Sequence, residues 1–203
     1  MTVMNSAYFQ SHELDAGHVF LTGQLPRTLR EAISFTAMWD LHPPEFPEIQ
    51  MHGHRVKIPR WQLAYGVDYR FSGQVSQALP VPICLEPVLD WCHSAIDPAL
   101  NGLLLNWYDG QLGHYIGRHR DSTHNIVPNS GIVTVSFGEE RVFRLRPWPH
   151  DPAAKLTDFR TSEGSVFIMP WSTNQAFTHE VTASKRLTGR RISVTLRAFE
   201  STG

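Results

Sequence analysis

The sequence predicts a mainly β domain of α+β class, a sandwich or barrel preceded by helices. Three observations carry this. After Asn101-Gly102 the chain breaks into short apolar runs separated by Gly, Pro, Asn and Asp, the spacing of an all-β core. Two earlier segments, opening at Pro26 and Pro87, have the proline of a first helical turn. The 203 residues, 41% hydrophobic and 18% charged, suit one compact domain over 1–203.

Residues Met1 to about Gln24 are mixed and weakly periodic, and carry no element assignment. The run Thr28-Leu29-Arg30-Glu31-Ala32-Ile33 behind Pro26 predicts a helix ending near Trp39. His42-Pro43-Pro44-Glu45-Phe46-Pro47 must be loop, since its prolines forbid helix and central strand alike. From Val56 to Phe71 the residues suit strands, and Gly66 with Asp68 supplies a turn, so a hairpin is expected. A second helix is expected from near Glu86 to about Ile96. Strands follow at Leu103–Trp107, Ile132–Phe137, Val142–Leu145, Ser165–Met169 and Ile192–Phe199.

Composition narrows the function classes. A formal net charge of −1 gives no global case for nucleic acid, so any such site must be a local basic patch. No run approaches the roughly 18 apolar residues of a membrane span, and no signal-peptide pattern opens the chain, so a soluble, cytoplasmic protein is expected, or a nuclear one in a eukaryote. Cys84 and Cys92, eight positions apart in a predicted helix, would stand about 12 Å apart, too far for a disulfide. Both read as reduced structural thiols.

The chemistry gathers in the C-terminal half. In Gly117-Arg118-His119-Arg120-Asp121, His119 and Asp121 are two apart and share one side of an extended segment, so both can meet one metal. Alone the motif says nothing, because composition yields about half an H-x-D per chain of this kind. His179, some sixty residues later, is a candidate third ligand, although by itself it reads more readily as an ordinary core or surface histidine. Two imidazoles and one carboxylate on one face of a metal leave positions open, which suits non-haem iron(II) oxygenases. Beyond it, Arg191, Ser193, Thr195 and Arg197 share one face of a strand whose other face is Ile192, Val194 and Leu196. Such charges either line an exposed edge or, buried, meet an anion such as a dicarboxylate.

With His119-x-Asp121, His179 and Arg191-x-Ser193-x-Thr195-x-Arg197 in order, the sequence resembles the AlkB family of dioxygenases. Asn106-Trp107-Tyr108 matches that family's N-x-Y, and the resemblance extends through Val135-Ser136-Phe137-Gly138, Pro59-Arg60-x-x-x-x-Tyr65-Gly66 and Tyr69-x-Phe71-Ser72-Gly73. It covers about Pro59 to Phe199 and is strongest to the nucleic-acid-repair members. It implies a double-stranded β-helix (jelly roll) with N-terminal flanking helices and a β-hairpin lid: an extension and helix over about 1–50, a nucleotide-recognition lid over about 55–80, and the catalytic core over about 100–200. By the same resemblance His119, Asp121 and His179 hold Fe(II), and Arg191 anchors the distal carboxylate of 2-oxoglutarate with Asn106, Tyr108 and Ser193 beside it. Arg197 lines the inner site, Phe71 stacks on a flipped base, and Tyr69, Arg60 and Thr123 lie near the base or its phosphates.

The implied reaction uses Fe(II), 2-oxoglutarate and O2 to demethylate N-alkylated bases in DNA or RNA, releasing succinate, CO2 and formaldehyde. Two departures bear on substrate choice: Ser193 replaces the family's usual asparagine, and Thr123 stands where an acidic residue can occur. Trp61 is a second candidate base platform, and Arg55, Lys57, Arg60 and Arg70 form a candidate phosphate grip around the lid. The competing readings are a same-fold dioxygenase acting on a small molecule or protein side chain, and a silent barrel that binds nucleic acid or a partner.

Overall fold

The computed structural model describes residues 8–51, 54–71 and 74–200. The first described segment forms two strands, β1 (Phe9–Glu13) and β2 (Val19–Gln24), paired antiparallel. The weakly periodic sequence marks neither of them. Phe20 and Leu21 are buried because β2 joins a distant strand, a cause no local pattern records. The single helix expected up to Trp39 is two: α1 (Arg27–Ala32) and α2 (Phe35–Trp39). Ile33 takes an extended backbone (φ −81, ψ 124), and the Ser34 hydroxyl accepts from the Ala37 N–H at 3.2 Å, restarting the helix with its own cap.

The expected hairpin from Val56 to Phe71 does not form as one unit. β3 (Glu48–Met51) pairs with β4 (His54–Lys57), while β5 (Trp61–Tyr65) enters the main sheet. Pro59, which has no N–H, separates β4 from β5, and the Gly66 turn (φ +80) ends β5. β6 (Tyr69–Phe71) pairs with β7 (Gln74–Ser76), and β8 (Ala78–Leu79) runs parallel to β5. The 55–80 segment is thus divided between two short strand pairs and the main sheet. Ser72 and Gly73 of the lid motif, and the extension's first seven residues, lie outside the described residues. α3 (Glu86–Ala95) begins as predicted, burying Val88, Cys92 and Ala95 at helical spacing, and both cysteines are free.

Five core strands fall where expected: β9 (Gly102–Asp109), β11 (Ile132–Gly138), β12 (Val142–Pro147), β14 (Ser165–Met169) and β16 (Arg190–Arg197), while β10 (Ile116–His119), β13 (Thr157–Arg160), α4 (Trp171–Ala176) and β15 (Phe177–Val181) are additional to the strands read from the sequence. They form an eight-stranded sheet, β1-β2-β14-β11-β16-β9-β5-β8, and a four-stranded sheet, β10-β15-β12-β13. On one face of the larger sheet Ile192, Val194 and Leu196 pack with Met38, Leu85 and Val88 from the helical layer. A second cluster, with Tyr108, Phe143, Leu145 and Phe167, draws on both sheets. The mainly β jelly roll with flanking helices stands. Among the described residues no helix is long and apolar enough to cross a membrane.

Candidate active site

β10 and β15 are neighbours in the smaller sheet, and their register sets His119 directly opposite His179. Asp121 follows two residues after His119. One ligand atom from each of the three residues lies within 4.8 Å of the others. His119 Nε2 stands 3.4 Å and His179 Nε2 3.7 Å from Asp121 Oδ1. Ligands held at about 2.0 to 2.2 Å on one face of a metal lie roughly 3 Å apart, so a small contraction brings the set into bonding range. Two imidazole nitrogens and one carboxylate oxygen fit iron(II) with positions left for other ligands.

The surroundings prepare each ligand. His119 Nδ1 lies 2.9 Å from the Gly117 carbonyl, leaving Nε2 for the metal. Burial pushes the Asp121 carboxyl up, but Arg197, with the two histidines, more than reverses this and holds it well below the ordinary range. Burial, then the charge of His119, pulls His179 down to about 3, so a neutral ring presents its lone pair to a metal. Arg197 Nη2 donates to Asp121 Oδ2 at 2.6 Å, which directs Oδ1 to the histidines. Asn174 on α4 closes a reciprocal pair with the main chain: its Oδ1 accepts from the Asp121 N–H at 3.0 Å and its Nδ2 donates to the Asp121 carbonyl at 3.1 Å.

The β16 face read from the sequence is buried throughout, with Arg191 1%, Ser193 4%, Thr195 8% and Arg197 2% exposed, which rules out an exposed edge. Register across the larger sheet aligns Gln62, Asn106, Ser193 and Ser136 in one polar row over β5, β9, β16 and β11. Arg191 is paired with Tyr108 on β9, its guanidinium 4.8 Å from the centre of the phenol ring. Its Nη1 is buried without a partner among the described residues. A cationic nitrogen left unpaired in the interior fits an incoming carboxylate.

A cavity of about 570 Å³ joins these parts. It is lined by the three metal-ligand candidates and by Asn106, Tyr108, Arg191, Ser193 and Arg197, and it reaches Tyr69, Phe71 and Lys57 at the lid. Tyr69 and Phe71 stack with centroids 5.6 Å apart, and the Arg197 guanidinium lies 4.5 Å from the centre of the Tyr69 ring. The β6 aromatics are therefore linked to Asp121 through one arginine.

Three expectations need correction. Arg60 belongs to no exposed phosphate grip: it is buried, donating to Asn106 Oδ1 at 2.7 Å and to Gln62 Oε1 at 2.9 Å, so it faces the cavity from within. Thr123 is exposed and does not line the cavity, because the chain turns outward after Asp121. Trp61 is packed between His42 and Phe46 rings, with centroids 4.5 and 5.0 Å away, and offers no open face. Thr161, Asn174 and Gln62 support the site without a signal in the sequence, and Ser136, part of the Val135-Ser136-Phe137-Gly138 motif, joins them as a partner of Arg191. The only warrant for the first three is which strand each one neighbours, a relation absent from local sequence.

Residues 24–197 match the family model described as the 2OG-Fe(II) oxygenase superfamily. The human protein named DNA oxidative demethylase ALKBH2 is 30% identical over 73% of this chain, and its mouse counterpart is 32% identical over 74%. The chain spans 60% of the human protein's length and 66% of the mouse protein's. The structure of OsALKBH1, 16% identical, superposes with a TM-score of 0.57 over 92% of this chain and 100% of that one, a likeness of fold. With the triad and the buried arginine in place, the chain belongs to the 2OG-Fe(II) oxygenase superfamily, in its AlkB branch.

Proposed function

We propose that this protein is an Fe(II)- and 2-oxoglutarate-dependent dioxygenase that oxidatively demethylates N-alkylated bases in nucleic acid. The observation that carries the reading is the continuous cavity from the His119, Asp121 and His179 cluster to the Tyr69 and Phe71 pair. Its relatives are named DNA oxidative demethylases, which favours DNA over RNA. When bound, iron(II) with 2-oxoglutarate and O2 supplies the oxidising power that hydroxylates a methyl carbon, yielding succinate and CO2.

The protein's part is placement. Arg191, with Tyr108 against its face, receives the distal carboxylate of the co-substrate. Asn106, already accepting from Arg60, lines the same cavity and has its amide donors for the co-substrate. A base drawn out of its stack enters past Phe71, whose ring offsets part of the unstacking cost at about 1 to 3 kcal/mol per stacked base. Once the methyl carbon carries a hydroxyl, the N–C bond cleaves to formaldehyde and the restored base. Exposed Lys57 and Arg118 at the cavity mouth supply local positive charge that the whole chain lacks.

The test is formaldehyde and succinate release from DNA and RNA oligonucleotides carrying 1-methyladenine or 3-methylcytosine. His119→Ala and His179→Ala are each expected to abolish release. Succinate formed without oligonucleotide-dependent formaldehyde would refute the nucleic-acid substrate and direct the search to small molecules or protein side chains.

A further inference from the structure

Arg191 is 1% exposed, and one long edge of its guanidinium is already occupied by protein. Nε donates to Thr161 Oγ1 at 3.2 Å and Nη2 donates to Ser136 Oγ at 3.0 Å. These two nitrogens form the side-on edge of the fork. The end-on edge, made by Nη1 and the second N–H of Nη2, remains, and Nη1 is without a partner among the described residues.

Thr161 sits just beyond β13 and does not line the cavity. Its hydroxyl accepts from Arg191 Nε, accepts from the Arg141 N–H at 3.1 Å, and donates to the Arg141 carbonyl at 3.2 Å. A hydroxyl has one donor and two acceptor sites, so all three are used and the oxygen's direction is determined. Arg141 is itself buried and held by Glu139 at 3.0 Å, which keeps a second cation close behind Arg191 in place. Burial lowers the affinity of Arg191 for its proton, Tyr108 opposes this, and the charge of Arg141 adds a smaller push in the same direction as burial. Two neighbouring buried cations need fixed acceptors or they turn apart.

We propose that Thr161, with Ser136, is a positioning pair for the co-substrate. It ties down the side-on edge of Arg191, so that the guanidinium meets a dicarboxylate end-on and in one orientation. This rests on the reading of Arg191 as the carboxylate anchor. Loss of a hydrogen bond to a charged group that must stay buried corresponds to roughly 10-fold or more in affinity.

The experiment is calorimetric titration of 2-oxoglutarate into Mn(II)-loaded protein, beside Mn(II) affinity and steady-state kinetics. Thr161→Val is expected to weaken 2-oxoglutarate roughly 10-fold. It should raise the KM for 2-oxoglutarate with kcat little changed and leave Mn(II) affinity as in the wild type. Thr161→Ser, which keeps the hydroxyl, should restore binding. Wild-type affinity in Thr161→Val, or no recovery in Thr161→Ser, overturns the proposal. If Thr161→Val does not fold, Ser136→Ala decides: a several-fold loss supports the pair and no loss refutes it. Arg191→Gln separates the two levels, because unchanged 2-oxoglutarate binding there means that the anchor assignment itself has failed.

Discussion

Arg197 joins the His119, Asp121 and His179 cluster to the aromatic pair of β6. It pairs with Asp121 at 2.6 Å, lies 4.5 Å from the centre of the Tyr69 ring, and both members of the ion pair are buried. Removing one member of a buried pair leaves the other's charge without compensation, at a cost of about 3 to 5 kcal/mol. Arg197→Met is therefore expected to lose that much in denaturant unfolding of the metal-free protein. The loss should shrink when Mn(II) is added, since the ion itself then compensates Asp121. Asn174 acts on the same carboxylate through the backbone. Asn174→Ala is expected to weaken metal binding by roughly 10- to 100-fold, the usual effect of losing a group that orients a ligand, and a Mn(II) titration measures it. Unchanged affinity would mean that the Arg197 pair orients Asp121 without help from Asn174.

At the scale of elements, β16 supplies the arginine-bearing face of the site, and one face of a strand in the middle of an eight-stranded sheet can be polar only if its neighbours supply partners. Ser136 and Thr161 do so for Arg191, Asp121 for Arg197 and Thr134 for Thr195, and the two arginines stand on either side of Ser193. The turn that ends β11 sets the start of this strand. Gly138 has φ +83, and a Cβ there would run into the carbonyl of Arg190, next to the anchor. Gly138→Ala should lower stability by at least ~1 kcal/mol and weaken 2-oxoglutarate binding with it, seen together by urea unfolding and calorimetry. The β6–β7 hairpin has a separate task. Phe71→Ala is expected to raise the KM for a methylated oligonucleotide by roughly 5- to 100-fold, from about 1 to 3 kcal/mol of stacking, while 2-oxoglutarate affinity stays. A parallel fall in both affinities would place Phe71 in the inner site instead of at the mouth.

For the whole molecule, the N-terminal strands close the larger sheet over the cavity. β2 pairs with β14, and its Phe20, fully buried, is part of the cavity lining. Deleting residues 1–24 exposes the edge of β14 and removes Phe20, uncovering the Phe143 and Phe167 rings against which it packs. The truncated protein is expected to aggregate or to melt well below the full chain, as light scattering and thermal unfolding would show. Much of this molecule was legible in its sequence. Proline placement marked the start of α3, Gly and Asn marked the breaks between core strands, and period-two alternation put Arg191 to Arg197 on one face, because these signals act between residues close along the chain. The family motifs named the ligands on the same basis. What only the tertiary structure decided are relations between distant segments: the pairing of β2 with β14, the entry of β5 into the main sheet, the burial of Arg60 against Asn106, the outward turn at Thr123, and the hold of Thr161 and Asn174 on residues far away in sequence. A hydroxyl or an amide is the same residue in a surface loop as beside a buried guanidinium. Its role arises when sheet register brings that partner within about 3 Å, hydrogen-bonding distance, and excludes the water that would otherwise compete.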